Sequence, residues 1–449
     1  MLQNQTPIYF IDWCLFSAIG MEKYIGNLQF ICATDTFYGL HPHIFVPQSF
    51  SYNHALTSEQ TLNALLSNEE VAEHIRRRGP GKLLVWLLNE ETERLAEALD
   101  LEICLPPHQL RMHWDNKANT NRLAEMAGVP CVPYVLTPVE SYTHLRKIAA
   151  HLGQDLVIQS PHGMSGNNTF FISNEADWNP YHAQICNGEE MKIMKRIRCE
   201  EASLEACVTK YGVAVSPLIW ELIGIPELTV YKGGWCGNEL APYTFPKHHI
   251  EKAKQYTILL GEQLRKVGYK GCFQPDYLID PDNDILYLGE INMRFSGFTP
   301  LINNANIAEK DIPLLLLHLA EWLDMDYDLD LDALNTTWTK QEHLAPLSLL
   351  HFKNVKEKQA QPIRTGIYRL SEDGKVVFVR SALSPKDILD THEAFWMSTS
   401  GLDSVIEKGD EIGALFIHSR MTVAGKKLTP LGRLWVEGLL AGFKIPHSR

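Results

Sequence analysis

No stretch of the 449-residue sequence approaches the roughly 18 consecutive apolar residues that a membrane-crossing helix needs. The opening Met1-Leu-Gln-Asn-Gln-Thr-Pro lacks the basic stretch of a secretory signal, so no membrane partner is expected and the cytoplasm is the expected compartment. Basic charge is also scarce: 41 Lys and Arg stand against 54 Asp and Glu, the formal net charge is −13, and no long basic run occurs. Nucleic-acid phosphates would repel such a chain, so no nucleic-acid partner is expected. The nine cysteines are odd in number and never form a Cys-x-x-Cys pair, which argues against a disulfide framework or a zinc finger. They read as small buried apolar groups in a reducing compartment. Cys236, in Gly233-Gly-Trp-Cys-Gly-Asn238, stays open between a packed thiol and a backbone that approaches a ligand. No Gly-x-Gly-x-x-Gly follows the first apolar strand, which leaves a dinucleotide role without support.

What is present is a folded composition, 45% hydrophobic and 21% charged, in a chain long enough for about three domains. Residues 1–111 hold short apolar strands at 8–11, 28–31 and 83–87, the last followed by a helix-like stretch at 90–99. Strands alternating with helices predict a small open parallel α/β sheet with right-handed crossovers. Pro106-Pro107 punctuates its end, and a helix at 117–126 follows, with Leu123, Met126 and Ala127 on its apolar face and Gly128 as its stop. Lys117, beside the positive end of that helix, is either a solvated lysine or half of a site for an anion. The loop 160–169 has Gly163 and Gly166 three apart, flanked by Ser165, Asn167, Asn168 and Thr169. Its backbone N–H groups can approach phosphate oxygens, although a surface turn has the same composition. It contains no lysine, so it is not a Walker A loop. A glycine-rich turn at 233–239 and a helix at 250–267 come later, the helix with Ile258, Leu259, Leu264 and Val267 on its apolar face. Glu227, Asn238 and Glu239 either contact a ligand or serve turn chemistry. Beyond about residue 330 the pattern becomes β-rich: strands at 366–370 and 375–380 around Glu372-Asp-Gly374, a strand ending at Ile417, and a closing helix at 428–443.

Chemistry concentrates at 289–294, Gly-Glu-Ile-Asn-Met-Arg, which ends the apolar run Ile285-Leu-Tyr-Leu288. Residues two apart on a strand share a face, so Glu290, Asn292 and Arg294 point the same way. The segment 271–280 reads as a preceding strand and Pro281-Asp-Asn-Asp284 as the turn that reverses it. Pairing Asp276 with either Leu288 or Glu290 puts it on that same face, whereas an odd register separates them. Two carboxylates and an amide oxygen suit Mg²⁺, and a guanidinium suits phosphate or carboxylate oxygens.

Asp276 with Glu290-x-Asn292-x-Arg294 resembles the metal-binding end of the ATP-grasp superfamily, in the spelling of its biotin-carboxylase-like members. Asp115-Asn-Lys117 through Gly128-Val-Pro130 resembles the opening of the ATP-grasp domain. Leu156-Val-Ile-Gln159 with the loop 160–169 resembles the strand and flexible loop that close over a triphosphate. The segment 192–203 is similar to the hinge strand whose backbone reads adenine. The resemblance covers about residues 112–305, with the four motifs in family order.

It implies a pre-ATP-grasp α/β domain at 1–111, an ATP-grasp domain at 112–328 and a β-rich C-terminal domain at 329–449. The implied cofactors are ATP and Mg²⁺, with the metal on Asp276, Glu290 and Asn292. Nucleotide contacts are implied at Lys117, Gln159, Gly163, Ser165, Gly166, Asn167, Lys195, Ile197 and Glu201, and a catalytic role at Arg294. Many relatives carry Lys where this chain has Gln159, which leaves the phosphate charge to Lys117 and Arg294, or slows turnover. The implied reaction converts a small-molecule carboxylate into an acyl phosphate for attack by an amine. The alternatives are bicarbonate activation, disfavoured by the absence of a biotin carrier motif, and a non-catalytic nucleotide-binding scaffold. A homodimer is expected by family analogy.

Overall fold

The computed structural model describes residues 5–53, 56–163, 168–305, 312–356, 362–401 and 404–443. Its N-terminal sheet is parallel throughout, in the order Ile44–Phe45, Leu28–Cys32, Ile8–Asp12, Gly81–Leu84, Leu101–Ile103. All five residues of Ile8–Asp12 are buried, as a parallel strand covered on both faces requires. Tyr9 and Ile11 face the helices Ser58–Leu66, Glu69–Arg78 and Glu90–Ala98, while Ile8 and Phe10 join the core of the rest of the molecule. Each of those helices starts at a side-chain cap: Thr57, Asn68 and Asn89 accept from backbone N–H groups of the first turn. The strand expected at 83–87 begins earlier and ends at Leu84, so Trp86 lies outside the sheet, beyond its carboxyl edge.

A four-stranded antiparallel sheet follows, in the order Tyr134–Thr137, Met191–Lys195, Leu156–Gln159, Thr169–Ile172. The expected opening helix spans Lys117–Ala127 and stops at Gly128 in a left-handed conformation (φ 68°). Met126 is exposed, so its apolar face is built from Leu123, Ala124 and Ala127 instead. The later helix spans Lys247–Lys266 and buries Ile250, Ala253, Thr257, Leu260 and Leu264. Leu259 and Val267, expected inside, are exposed: the buried stripe is centred on Ala253 and Leu260, and the two residues fall to one side of it.

The largest sheet runs without a break from the central region into the C-terminal one. Strand Gly271–Asp280 pairs with Glu200–Ser203, Ala206–Thr209 and Ile285–Asn292. Ile219–Ile223 and Trp235–Leu240 continue it, and Trp235–Leu240 pairs with Leu347–Lys353, which pairs with Glu411–Ile417. The expected turn at 233–239 is therefore mostly strand. Gly237 (φ 130°) permits this, because a Cβ there would lie 2.0 Å from the Leu349 carbonyl oxygen. Cys236 is a packed thiol whose Sγ lies 3.2 Å from the Leu222 carbonyl oxygen. No helix among the described residues is long and apolar enough to cross a membrane.

Glu239 has no role at the ligand surface. It is fully buried, and one carboxylate oxygen accepts from the backbone N–H of Met421 at 2.6 Å, that of Thr422 at 2.9 Å and Ser348 Oγ at 2.9 Å. Its carboxylate thus fastens the central strand to the C-terminal segment. Glu239→Ala strands these buried donors, each worth about 1–3 kcal/mol. A stability loss of about 3 kcal/mol or more is expected, read as a lower urea midpoint at an unchanged slope.

Candidate active site

Asp276 pairs directly with Glu290, one of the two registers that place them on a common face. A β-bulge at Gly289 makes this possible, since Asp276 opposes Glu290 while Tyr277 opposes Leu288. Before the bulge the buried residues are Leu286 and Leu288; after it they are Ile291 and Met293. The extra residue inverts the alternation and turns Glu290, Asn292 and Arg294 out of the core. Lys192, fully buried, holds the bulge by donating from Nζ to the Gly289 carbonyl at 2.7 Å.

Around this face the side chains interlock. Asp276 accepts from Ser203 Oγ at 2.7 Å, from Gln274 Nε2 and from Asn292 Nδ2 at 3.0 Å. Arg294 donates to Asn292 Oδ1 at 3.1 Å and lies over the Trp86 ring, 5.4 Å from its centroid. Its Nε is buried without a partner. Lys117 is ion-paired to Glu290 and contributes its backbone N–H to the Pro161 carbonyl. Asp115 receives the Met293 N–H at 2.9 Å and Arg111 at 2.8 Å, which anchors the helix His108–Asp115, just before the opening helix, to the end of the hairpin.

Burial and the neighbouring Glu290 charge push Asp276 up to about 7. For Glu290 burial acts upward too, but the Lys117 ammonium outweighs it and holds the group below the ordinary glutamate range. Burial and then Asp276 raise Glu221 well above its ordinary value. Three carboxylates crowded into one desolvated site repel one another, and a divalent cation removes that repulsion. The oxygen donors of Asp276, Glu290 and Asn292 fit a hard ion such as Mg²⁺.

Two cavities meet at this wall, and Glu290, Asn292 and Arg294 line both. One, of about 330 Å³, is bounded by Lys117, Arg111, Asp115, His162 and Gly163. The other, of about 280 Å³, is bounded by Asp276, Glu221, Trp13, Trp86, Trp235 and Glu411 among others. Gln159 donates to Thr169 Oγ1 at 3.3 Å and lies directly across the sheet from Lys192. Burial pushes the Lys192 ammonium down to about 8. Lys195 is exposed at its strand end, Ile197 is half-buried in the following segment, and Glu201 is ion-paired to Lys426; none of the three lines either cavity. Ser165, Gly166 and Asn167 lie outside the described residues.

Glu221, Trp13, Trp86, His351 and Glu411 were not among the sequence-derived candidates. Glu221 had a signal, an isolated acid in the apolar strand Ile219–Ile223. The others come from distant segments with no local spacing to read.

The fold is shared with solved biotin carboxylase and N5-carboxyaminoimidazole synthase structures. It matches the biotin carboxylase domain of Hydrogenobacter thermophilus 2-oxoglutarate carboxylase, solved with MgADP, ADP and bicarbonate, at TM-score 0.65 and 12% identity over 99% of this chain and 91% of that one. It matches N5-carboxyaminoimidazole synthase of Aspergillus clavatus, solved with ADP and aminoimidazole ribonucleotide, at TM-score 0.59 and 12% identity over 92% and 94%. In sequence, the [butirosin acyl-carrier protein]–L-glutamate ligase of Niallia circulans is 24% identical over 211 residues, 45% of this chain and 48% of that ligase. The match therefore spans about half of that relative's length, and no family model matches the chain.

Behind the wall, Glu205 is fully buried, with Oε1 accepting from Thr299 Oγ1 and Oε2 unpartnered. Burial pushes its carboxyl up to about 8. The native state keeps a proton that the unfolded chain releases near 4.5, so this stabilisation is full below that value and is lost as pH rises through about 8. Urea unfolding from about pH 5 to about pH 9 should show stability falling over that range, and Glu205→Gln should flatten the fall. An identical pH profile in the variant would contradict the assignment.

Proposed function

We propose that the protein is an ATP-dependent ligase that activates a carboxylate as an acyl phosphate for attack by an amine, forming a C–N bond and releasing ADP and phosphate. The observation that carries this reading is the common wall: Glu290, Asn292 and Arg294 front a lysine-lined cavity on one side and an aromatic cavity on the other. A phosphoryl group passing from nucleotide to carboxylate needs such a boundary, because donor and acceptor approach it from opposite sides.

Asp276, Glu290 and Asn292 would hold Mg²⁺, which when bound neutralises charge on the outer phosphates. Lys117, with His162 and Gly163 beside it, would face the nucleotide, whereas Lys195, Ile197 and Glu201 lie outside that cavity and would meet only a part of the nucleotide that extends beyond it. Arg294, desolvated and with an unpartnered Nε, orients the acceptor carboxylate and stabilises charge on the transferring group. In the first step a carboxylate oxygen bonds to the γ-phosphorus and ADP leaves. In the second the amine nitrogen bonds to the acyl carbon, phosphate leaves and the amine loses a proton.

Removing one charge-stabilising donor in such a site costs about 2.7–4 kcal/mol of transition-state stabilisation, a rate loss of about 10²–10³. Glu290→Gln and Arg294→Ala are each expected to keep the native circular dichroism and lose substrate-dependent ADP release by at least that factor. The measurement is phosphate release with ATP, Mg²⁺ and a panel of carboxylate and amine pairs. Turnover unchanged in either variant rejects the site. Release dependent on bicarbonate and biotin, with no amine requirement, replaces the ligase with a biotin-carboxylase-like activity.

A further inference from the structure

The aromatic cavity lies where an open α/β sheet offers a crevice, outside the carboxyl ends of the strands at the point where strand order reverses. Trp13 directly follows Ile8–Asp12, the strand whose neighbours Leu28–Cys32 and Gly81–Leu84 lie on opposite sides, and Trp86 follows Gly81–Leu84. The two indoles meet edge to face, with ring centroids 6.5 Å apart. Trp235 closes the opposite wall, its ring stacked obliquely on His351 at 4.6 Å.

Glu411 lines the same cavity, with Arg294 and Lys353 also in its lining. Its side chain is 32% exposed, but Oε2 is buried and, among the described residues, has no hydrogen-bond partner, nor has either nitrogen of His351, itself 3% exposed. The nearest approach between the two is 3.9 Å, from His351 Nδ1 to Glu411 Oε1. Burial lowers the His351 pKa, so the ring is neutral near pH 7 and does not compensate Glu411. Lys353, opposite Glu411 in the strand register, instead places its ammonium over the Tyr231 ring at 5.2 Å. Glu221 adds a second acid to the lining. Buried polar atoms left open inside a folded protein call for a partner, and aromatic faces beside a bare carboxylate select a cation.

We propose that this chamber binds the amine substrate through a second cationic group: the nucleophile is a diamine or a basic amino acid whose distal ammonium sits on Glu411 among Trp13, Trp86 and Trp235. The assignment rests on the ligase reading for the role of the bound amine, but its binding step stands apart from turnover. The cavity of about 280 Å³ suits a small molecule of that kind. An acidic end group placed there would meet the Glu411 carboxylate, which disfavours it at that end of the cavity.

Isothermal titration of the full chain with 1,4-diaminobutane and with n-butylamine tests this without catalysis. The diamine should bind at least tenfold more tightly, and Glu411→Gln should close that gap while MgADP affinity, the check on folding, changes less than twofold. Equal affinities, no binding of either amine, or a gap that survives Glu411→Gln would overturn the proposal. ADP release separates the two readings. Diamine that binds with the expected gap and yet supports no release with any carboxylate sinks the ligase and leaves the chamber. Release that n-butylamine supports as well as diamine does sinks the chamber and leaves the ligase.

Discussion

The site depends on one extra residue in one strand. Gly289 sits where the side-chain alternation of Ile285–Asn292 would otherwise carry Glu290 and Asn292 into the core occupied by Leu286 and Leu288. The bulge inverts the phase, so Ile291 and Met293 take over the core positions and the polar set faces the cavities. Little space is left for a larger residue there: a Cβ at Gly289 would lie 3.2 Å from the Asp276 carbonyl oxygen. Lys192 binds the bulge carbonyl and carries a buried positive charge that helps to keep Glu290 ionised, so the same residue fixes the shape and the electrostatics of the wall.

From this wall outward the molecule is arranged so that three regions each contribute one boundary. The helix His108–Asp115, the start of the opening helix and the segment at 162–163 bound the lysine-lined cavity, the first of them held to the hairpin through Asp115. The N-terminal sheet contributes the indoles beyond its carboxyl edge, and the C-terminal strands contribute His351, Lys353 and Glu411. The unbroken sheet through Trp235–Leu240 and Leu347–Lys353, tied by Glu239, fixes the C-terminal wall relative to the metal-side wall. Side chains from such remote segments hold their spacing only because they rest on paired strands.

Local signals explain what the sequence made legible. The hairpin was readable because its period is two and its polar residues interrupt an apolar run; the helix expected at 117–126 was readable from its apolar spacing and terminal Gly128. The register of Asp276 was left with two even solutions, and the bulge that selects one has no signature beyond a glycine. Glu239 and Cys236 looked like turn residues because the Gly233-Gly234 and Gly237 punctuation hides a strand whose glycine is required by a neighbouring backbone. Leu259 and Val267 show the complementary failure, apolar side chains left at the surface by a helix whose buried stripe runs beside them. The aromatic chamber was invisible because Trp13, Trp86, Trp235, His351 and Glu411 come from segments far apart in sequence.

Without a ligand the site is neutralised by its own groups. Glu290 is compensated by Lys117, and Asp276, pressed by burial and by Glu290, is held part-protonated near neutral pH. A nucleotide bound with its cation, as proposed, would exchange both arrangements: the ion would take over the carboxylates and the phosphates would take over the lysine. The two exchanges support each other, because releasing Lys117 from Glu290 is costly unless a cation replaces it, and the ammonium so released is the group that an anion on the lysine-lined side requires. On the ligase reading proposed above, metal and nucleotide would therefore bind as a coupled pair. Glu411, on the aromatic side, lies outside this exchange, and its Oε2 has no hydrogen-bond partner among the described residues.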